Sequence, residues 1–395
     1  MSGAFDLGEM HGLLPGLRKR NLDSPPDEVL RRIFGYIQCS ADTTHPELLI
    51  TSVTHHWREV AIKIPSLWTR VSINHDREIS VLEAILSRSQ NLPLSIYIRL
   101  DAFKYRFITD YMAAIDLLVP HVARWRHLSI IATNPVLHLL TTQIHVLPLT
   151  ALEHFELVQS DTGHIQHFGP FTFEPAVFRT LRLERAMIYP ADASLLARLT
   201  HMELKESSLA MLDEHKLLSL DYPPSEARTP SILALQHLVL DASNPVPDRG
   251  MPYSPAFSAA HLTTLSLTRL AAPSMDRVQA LSRFFGTALA APALHHLTIA
   301  DIHGHALVML LSVIRAATFP HLDRLTLASI DTSGVDERVI GAFTEDVAEL
   351  VLARLDPAPL FRHLLVPAVW PTLRRIELDG VEVPRAAIAS QFGLD

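Results

Sequence analysis

Histidine is the residue type in this chain best suited to chemistry: there are 22 in 395 residues. Imidazole binds metals and exchanges a proton near neutral pH. Two pairs have ligand-like spacing, His164-x-x-His167 and His303-x-His305. Neither is joined by a carboxylate or cysteine at a zinc-type interval, so no metal site is expected. The single cysteine, Cys39, has no patterned base beside it and reads as a spare thiol. One cysteine also forms no intramolecular disulfide. The sequence contains no G-x-x-x-x-G-K-[ST] phosphate loop, G-x-G-x-x-G turn, H-E-x-x-H helix or G-x-S-x-G elbow. Fourteen glycines against 27 prolines are also a poor supply for phosphate-cradling loops. No catalytic residue and no cofactor are therefore expected, and the histidines must be understood through what positions them.

That scaffold is a repeat. A six-residue pattern, apolar-x-x-apolar-x-apolar, begins at Trp125, Leu152, Phe178, Leu199, Leu235, Leu262, Leu294, Leu322, Val347 and Leu373, with starts 21 to 36 residues apart. Trp68/Val71/Ile73 fits the same template, and Leu94/Ile96/Ile98 fits it more loosely. The last two apolar residues of each unit are two apart and share one face of a short strand. Between the strands lie helix-spaced apolar sets, such as Val278/Leu281/Phe284/Phe285/Leu289 and Leu307/Leu310/Leu311/Ile314. A parallel neighbour needs such a crossover. One unit cannot bury its own apolar face, whereas a stack of units builds a continuous core.

The residue before the second apolar position then points away from that core. This column reads His127, His154, Thr180, His201, His237, Thr264, His296, Arg324, Glu349 and Arg375. Half of it is histidine, on strands ~4.8 Å apart. The next outward column is Ser129, Glu156, Arg182, Glu203, Val239, Ser266, Thr298, Thr326, Val351 and Glu377. Two readings stand for these columns. One is a solvated sheet face in a histidine-rich chain. The other is a target-binding face carried by His127, His154, Glu156, Arg182, His201, Glu203, His237, His296 and Arg324, with pH sensitivity near the imidazole pKa of about 6.5.

The repeats resemble the leucine-rich-repeat family, which implies an α/β solenoid of parallel strands with helical crossovers. That family carries Asn or Cys three residues past the last apolar position. Here those positions hold Thr133, Ser160, Ala186, Ser207, Ser243, Leu270, Ile302, Ile330, Leu355 and Val381. Hydroxyls could supply part of the turn hydrogen bonding in the first half, and the apolar set must pack instead. Two Pro-rich stretches, Asp221–Ser231 and Asn244–Pro255, disfavour helix and read as surface insertions.

Residues 1–22 have no periodic apolar face and read as a flexible tail containing Arg18-Lys19-Arg20. From Asp23 a helical module of about 45 residues follows. Asp23-Ser24-Pro25-Pro26-Asp27-Glu28 supplies capping residues, prolines and acids at a helix start. Val29, Leu30, Ile33, Phe34 and Ile37 then form one apolar stripe. Pro46-Glu47 and Trp57/Val60/Ala61 mark two more short helices.

The order Pro26-Asp27-Glu28-Val29-Leu30-Arg31-Arg32-Ile33-Phe34, then Val53-Thr54-His55-His56-Trp57-Arg58-Glu59-Val60-Ala61, then Pro65-Ser66-Leu67-Trp68 resembles the F-box. It is most similar to the F-box-like proteins abundant in mushroom-forming fungi. The resemblance implies docking on the Skp-family adaptor of an SCF-type ubiquitin ligase through Pro26, Val29, Leu30, Ile33, Phe34, Val53 and Trp57. Two positions depart from that family: Pro25 replaces a leucine and Thr54 a cysteine.

With 48% hydrophobic and 19% charged residues, including 62 leucines, the chain is not disordered. A net charge of −8 argues against a nucleic-acid partner. No apolar run approaches the roughly 18 residues of a membrane span, and there is no signal peptide or N-x-S/T sequon. A cytoplasmic or nuclear protein is expected. The expected organisation is a tail (1–22), an F-box-like module (23–68), a transition with irregular repeats (69–124) and a leucine-rich-repeat solenoid (125–395). The function that follows is non-catalytic target recognition for a ubiquitin ligase. The alternative is a repeat scaffold with no ligase role.

Overall fold

The structure is a computed structural model. It describes residues 25–39, 46–74, 79–100, 108–161, 166–171, 177–190, 198–205, 234–241, 260–269, 291–302, 307–308, 310, 319, 321–330, 347–355 and 372–384. The N-terminal tail, both Pro-rich stretches, His164, His303, His305 and the helix-spaced set 278–289 lie outside these residues. The described helices are α1 (Asp27–Cys39), α2 (Pro46–Val53), α3 (His55–Ile62), α4 (Ile79–Arg88), α5 (Ile108–Leu118) and α6 (Asn134–Ile144). The strands are β1 (Arg70–Ile73), β2 (Leu94–Leu100), β3 (Trp125–Ala132), β4 (His154–Gln159), β5 (Gln166–Phe171), β6 (Thr180–Glu184), β7 (Ala186–Pro190) and β8 (His201–Lys205). They continue as β9 (His237–Asp241), β10 (Thr264–Thr268), β11 (His296–Ala300), β12 (Arg324–Ala328), β13 (Glu349–Ala353), β14 (Arg375–Leu378) and β15 (Val381–Val383). Thirteen strands, mostly parallel, form one α/β sheet in the order β1-β2-β3-β4-β6-β8-β9-β10-β11-β12-β13-β14-β15.

The chain divides into two compact units, Met1–Ser72 with Asp76–Ser95, and Ile73–His75 with Ile96–Asp395. In the first unit, α1 buries Leu30 and Phe34 completely, and α3 buries Val60 and Ala61. Thr54 caps α3, accepting a hydrogen bond from the Trp57 backbone N–H at 3.2 Å. A threonine at this position therefore does what a cysteine would do poorly, since a hydroxyl is a far better N-cap acceptor. The Pro65–Trp68 turn is a 3-10 helix that seats Trp68 in the core. There its indole N–H donates to the Ala61 carbonyl at 3.0 Å, and the Arg88 guanidinium lies 4.4 Å over its ring.

In the second unit the hexads become strands in an unbroken parallel register. Leu265, for example, is level with Leu238 on one side and Leu297 on the other. Every apolar hexad residue from Trp125 to Ile376 is buried, and only Leu378 at the end of the parallel run is half-exposed. Each such burial contributes roughly 1.5–3 kcal/mol. Helix α6 covers its side of the core with Val136, Leu137, Leu140 and Ile144. Leu307 and Leu310 are buried as their spacing requires.

The expected turn chemistry is corrected. The Thr133 and Ser160 hydroxyls make no hydrogen bond, so they do not replace the asparagine of the family pattern. Left-handed backbone does. Arg185 (φ 51°), Arg269 (φ 49°), Asp301 (φ 54°) and Ser329 (φ 51°) each follow a strand directly. Their N–H groups reach carbonyls at the end of the next strand: Lys205, Ala300, Ala328 and Ala353, at 2.8–3.0 Å. The residues after Arg185, Asp301 and Ser329 turn inward: Ala186, Ile302 and Ile330 are buried.

Two more features depart from the expected uniform array. Strands β5 and β7 form a separate two-stranded parallel sheet. Strand β15 runs antiparallel to β14. The two residues joining them, Asp379 (φ 46°) and Gly380 (φ 85°), both have positive φ, the signature of an Asp-Gly hairpin turn. Antiparallel pairing needs no crossover, so the hairpin ends the parallel series in three residues.

Candidate functional site

Strand alternation delivers the outward histidines. Because Phe155 and Leu157 point inward, His154 and Glu156 point outward, and the parallel register sets equivalent residues side by side. His127 is level with His154, His154 with Thr180, Thr180 with His201, and His201 with His237. The rings form a row. Tyr97 and His127 are 4.9 Å apart between centroids, His127 and His154 5.7 Å, and His201 and His237 stack at 4.4 Å. Thr180 interrupts the row with a side chain too short to continue it, leaving a notch between His154 and His201.

Beside the row runs a charged network. Arg182 bonds Glu156 at 2.7 Å through Nη1, and its other nitrogens lie 3.4 Å from Glu203 and 3.5 Å from Glu184. Lys205 bonds the second Glu203 oxygen at 2.6 Å, and the Ser129 hydroxyl donates to Glu156 at 2.6 Å. The four histidines of the row, with Glu156, Arg182 and Glu203 of the network, line a hollow of about 280 Å³ that also takes in Thr180 and Val239. The His201 pKa is held below its usual 6.5, first by partial burial and then by the neighbouring His237 and His154. That shift favours the neutral form of His201.

Seven of the nine residues expected on the target-binding face, His127, His154, Glu156, Arg182, His201, Glu203 and His237, come together around this hollow. His296 and Arg324 do not. They lie beyond β10, where His296 Nε2 meets Thr326 at 3.0 Å and Arg324 pairs with Glu349 and Glu377. Burial, then Arg324, lowers the His296 pKa, while Glu349 opposes them. Sequence reading missed Tyr97, Glu184 and Lys205. Alternation between Ile96 and Ile98 was a usable signal for Tyr97. For Glu184 and Lys205 it was the position two residues beyond the second outward column. Among the described residues no cluster could hold a metal ion.

The first unit carries a second candidate surface. Of the residues assigned to adaptor contact, Pro26 and Val29 are exposed, Ile33 and Trp57 are half-buried, and Val53 is 42% exposed. Leu30 and Phe34, also assigned to adaptor contact, are both 0% exposed and belong to the unit's own core. They face α3 and the Pro65–Trp68 turn, and the module is too small to form a core without them. The exposed edge of the α1 stripe is instead Val29, Ile33 and Tyr36, at i, i+4 and i+7. On α2, Leu49 (55% exposed) stands one turn from Val53. Tyr36 (80% exposed) and Leu49 were not singled out in the sequence, although Tyr36 falls seven residues after Val29.

No family model matches this chain, and no curated protein matches it. Among solved structures, it is similar to the crystal structure of the leucine-rich repeat-containing protein LegL7 from Legionella pneumophila. That likeness has a TM-score of 0.36 and 11% identity, over 90% of this chain and 96% of that one. Among the described residues, no helix is long and apolar enough to cross a membrane.

Proposed function

We propose that this protein is a non-catalytic recognition subunit of an SCF-type ubiquitin ligase. The first unit docks a Skp-family adaptor, and the outward sheet face of the second holds a target protein. The observation that carries the reading is four large side chains, Val29 and Tyr36 on α1 and Leu49 and Val53 on α2, left exposed on a helical unit whose residue order resembles the F-box. Large apolar side chains left exposed on a small unit are available to a partner. The hollow beside the histidine row supports the second half of the proposal, since aligned polar side chains on a repeat sheet are how such arrays grip a partner. Tethering target and ligase then raises their effective concentration, with no bond change at this chain.

The test is co-purification of the full chain with a recombinant Skp-family adaptor. The Val29→Asp/Leu49→Asp chain should keep its thermal midpoint and lose capture. Capture that survives this double substitution, or a wild-type chain that captures no adaptor, overturns the ligase reading.

A second reading, a repeat scaffold without a ligase role, is favoured by Pro25 and by the withdrawal of Leu30 and Phe34 into the core, which narrows the adaptor face. It expects no adaptor capture by the wild-type chain, while the sheet face still binds its target.

A further inference from the structure

Thr180 lies in register between His154 and His201, and all three line the hollow. We propose that the notch at Thr180 is a subsite for one arginine side chain of the bound partner, its guanidinium plane held between the imidazoles of His154 and His201. This rests on the reading of the sheet face as the target-binding surface and names the chemistry that face selects.

Spacing comes first. His154 and His201 stand on strands β4 and β8, either side of Thr180 on β6. Two strand intervals of ~4.8 Å separate them by ~9.6 Å. One flat group stacked at van der Waals distance from both walls takes up about 7–8 Å. The gap therefore accepts a single planar side chain and is too narrow for two. A hollow of about 280 Å³ lies just below the roughly 300–1,000 Å³ of small-molecule pockets, which suits a side chain better than a cofactor.

Charge selects among planar side chains. Three carboxylates, Glu156, Glu184 and Glu203, surround two cations, Arg182 and Lys205. The carboxylates outnumber the cations by one, so a carboxylate or phosphate is repelled and a cation attracted. Arg182 repels the incoming guanidinium only weakly, because Glu156 and Glu203 already neutralise it. Each oxygen of those two carboxylates has one partner, in Ser129, Arg182 or Lys205. A carboxylate oxygen has two lone pairs, so each can accept another N–H. Arginine stacks on aromatic faces and donates in a planar fork, whereas a lysine ammonium does neither.

The same geometry makes binding acid-labile. The groups around His201 are Thr180 and Arg182 from β6, His154 and Glu156 from β4, His237 from β9, Glu203 from its own strand, and the Thr200 hydroxyl, 2.9 Å from its Nδ1. Protonating His201 turns one wall of the notch into a cation and repels a guanidinium.

The test uses Nα-acetyl-arginine methylamide and its lysine, glutamate and leucine counterparts as probes of the full chain, read by NMR of ¹³C-labelled histidine rings. At about pH 7.5 the arginine probe should shift the His154 and His201 rings saturably, at roughly tenfold lower concentration than any counterpart, and leave His296 unmoved. Affinity should fall at least about tenfold at pH 5.5. Thr180→Trp, which fills the notch, should abolish the shifts with the melting curve unchanged. His201→Ala, a change on the solvent-facing side of the strand, should do the same if the tryptophan disturbs folding. Preference for the glutamate or leucine probe, equal binding by both variants, or pH-independent binding overturns the subsite. Adaptor capture by the Thr180→Trp chain separates the two claims: if capture persists while the arginine probe fails, the subsite is lost and the ligase reading stands.

Discussion

Phe34 meets Trp57 edge-on, with ring centroids 5.3 Å apart and planes at 60°. This contact joins the first helix to the third, and it explains why an aromatic residue at each position serves the fold of the unit before it serves any partner. T-shaped aromatic pairs contribute about 0.5–1.5 kcal/mol beyond the area they bury.

Phe34→Ala should therefore unfold the first unit without specifically removing a contact surface. Loss of a fully buried phenylalanine costs about 3–5 kcal/mol. Denaturant titration followed by Trp fluorescence should show the early transition shifting to lower denaturant. A transition left in place would return Phe34 to the surface.

Asp241 is the second buried relationship with a clear consequence. Its side chain is 2% exposed, and one carboxylate oxygen takes Arg269 Nε at 2.7 Å and Nη2 at 2.5 Å. Arg269→Ala leaves that carboxylate without its cation; because the Arg269 side chain is itself 43% exposed, the cost should fall below the about 3–5 kcal/mol of a fully buried pair. Replacing both residues with apolar ones of similar size should recover much of the loss. Comparing the single and double variants by urea unfolding checks this, and a double variant no more stable than Arg269→Ala would refute the pairing.

Stability should also fall in mild acid. His201 and His296 have folded-state pKa values below the 6.5 of an unfolded histidine. As pH drops through 6.5 the unfolded chain takes up protons that the folded chain refuses, so the equilibrium moves toward unfolding. The contribution of these two residues is complete above 6.5 and is lost between 6.5 and their lowered values. Urea midpoints measured across that interval should decline, and the decline should be shallower in His201→Gln/His296→Gln. A slope identical to wild type would show that other groups govern it.

Much of this was legible in one dimension. Hexad spacing alone placed ten strands and named their buried residues, because a strand with a covered face must alternate and a parallel neighbour must wait for a crossover. The same alternation identified the outward histidines. It also missed particular things for physical reasons. Asp379-Gly380 is a hairpin signal hidden inside what reads as one more repeat. The inter-strand bonds of Arg185, Arg269, Asp301 and Ser329 depend on backbone angles that no side chain announces. In the first unit, the apolar stripe of α1 was evident as a stripe, but a helix viewed alone has no inside.

Sequence by itself determined the period, the parallel stacking and which side chains look outward, since these follow from leucine spacing and the two-residue repeat of a strand. Tertiary structure alone decided which outward residues work together. Lateral register gathers His154, Thr180, His201 and Arg182 around one hollow and leaves His296 and Arg324 in another neighbourhood. It likewise decided that Leu30 and Phe34 turn inward while Val29 and Tyr36 stay exposed. Adjacency between strands tens of residues apart, and the side of a helix that meets its neighbours, are properties of packing, and packing exists only once the chain has closed on itself.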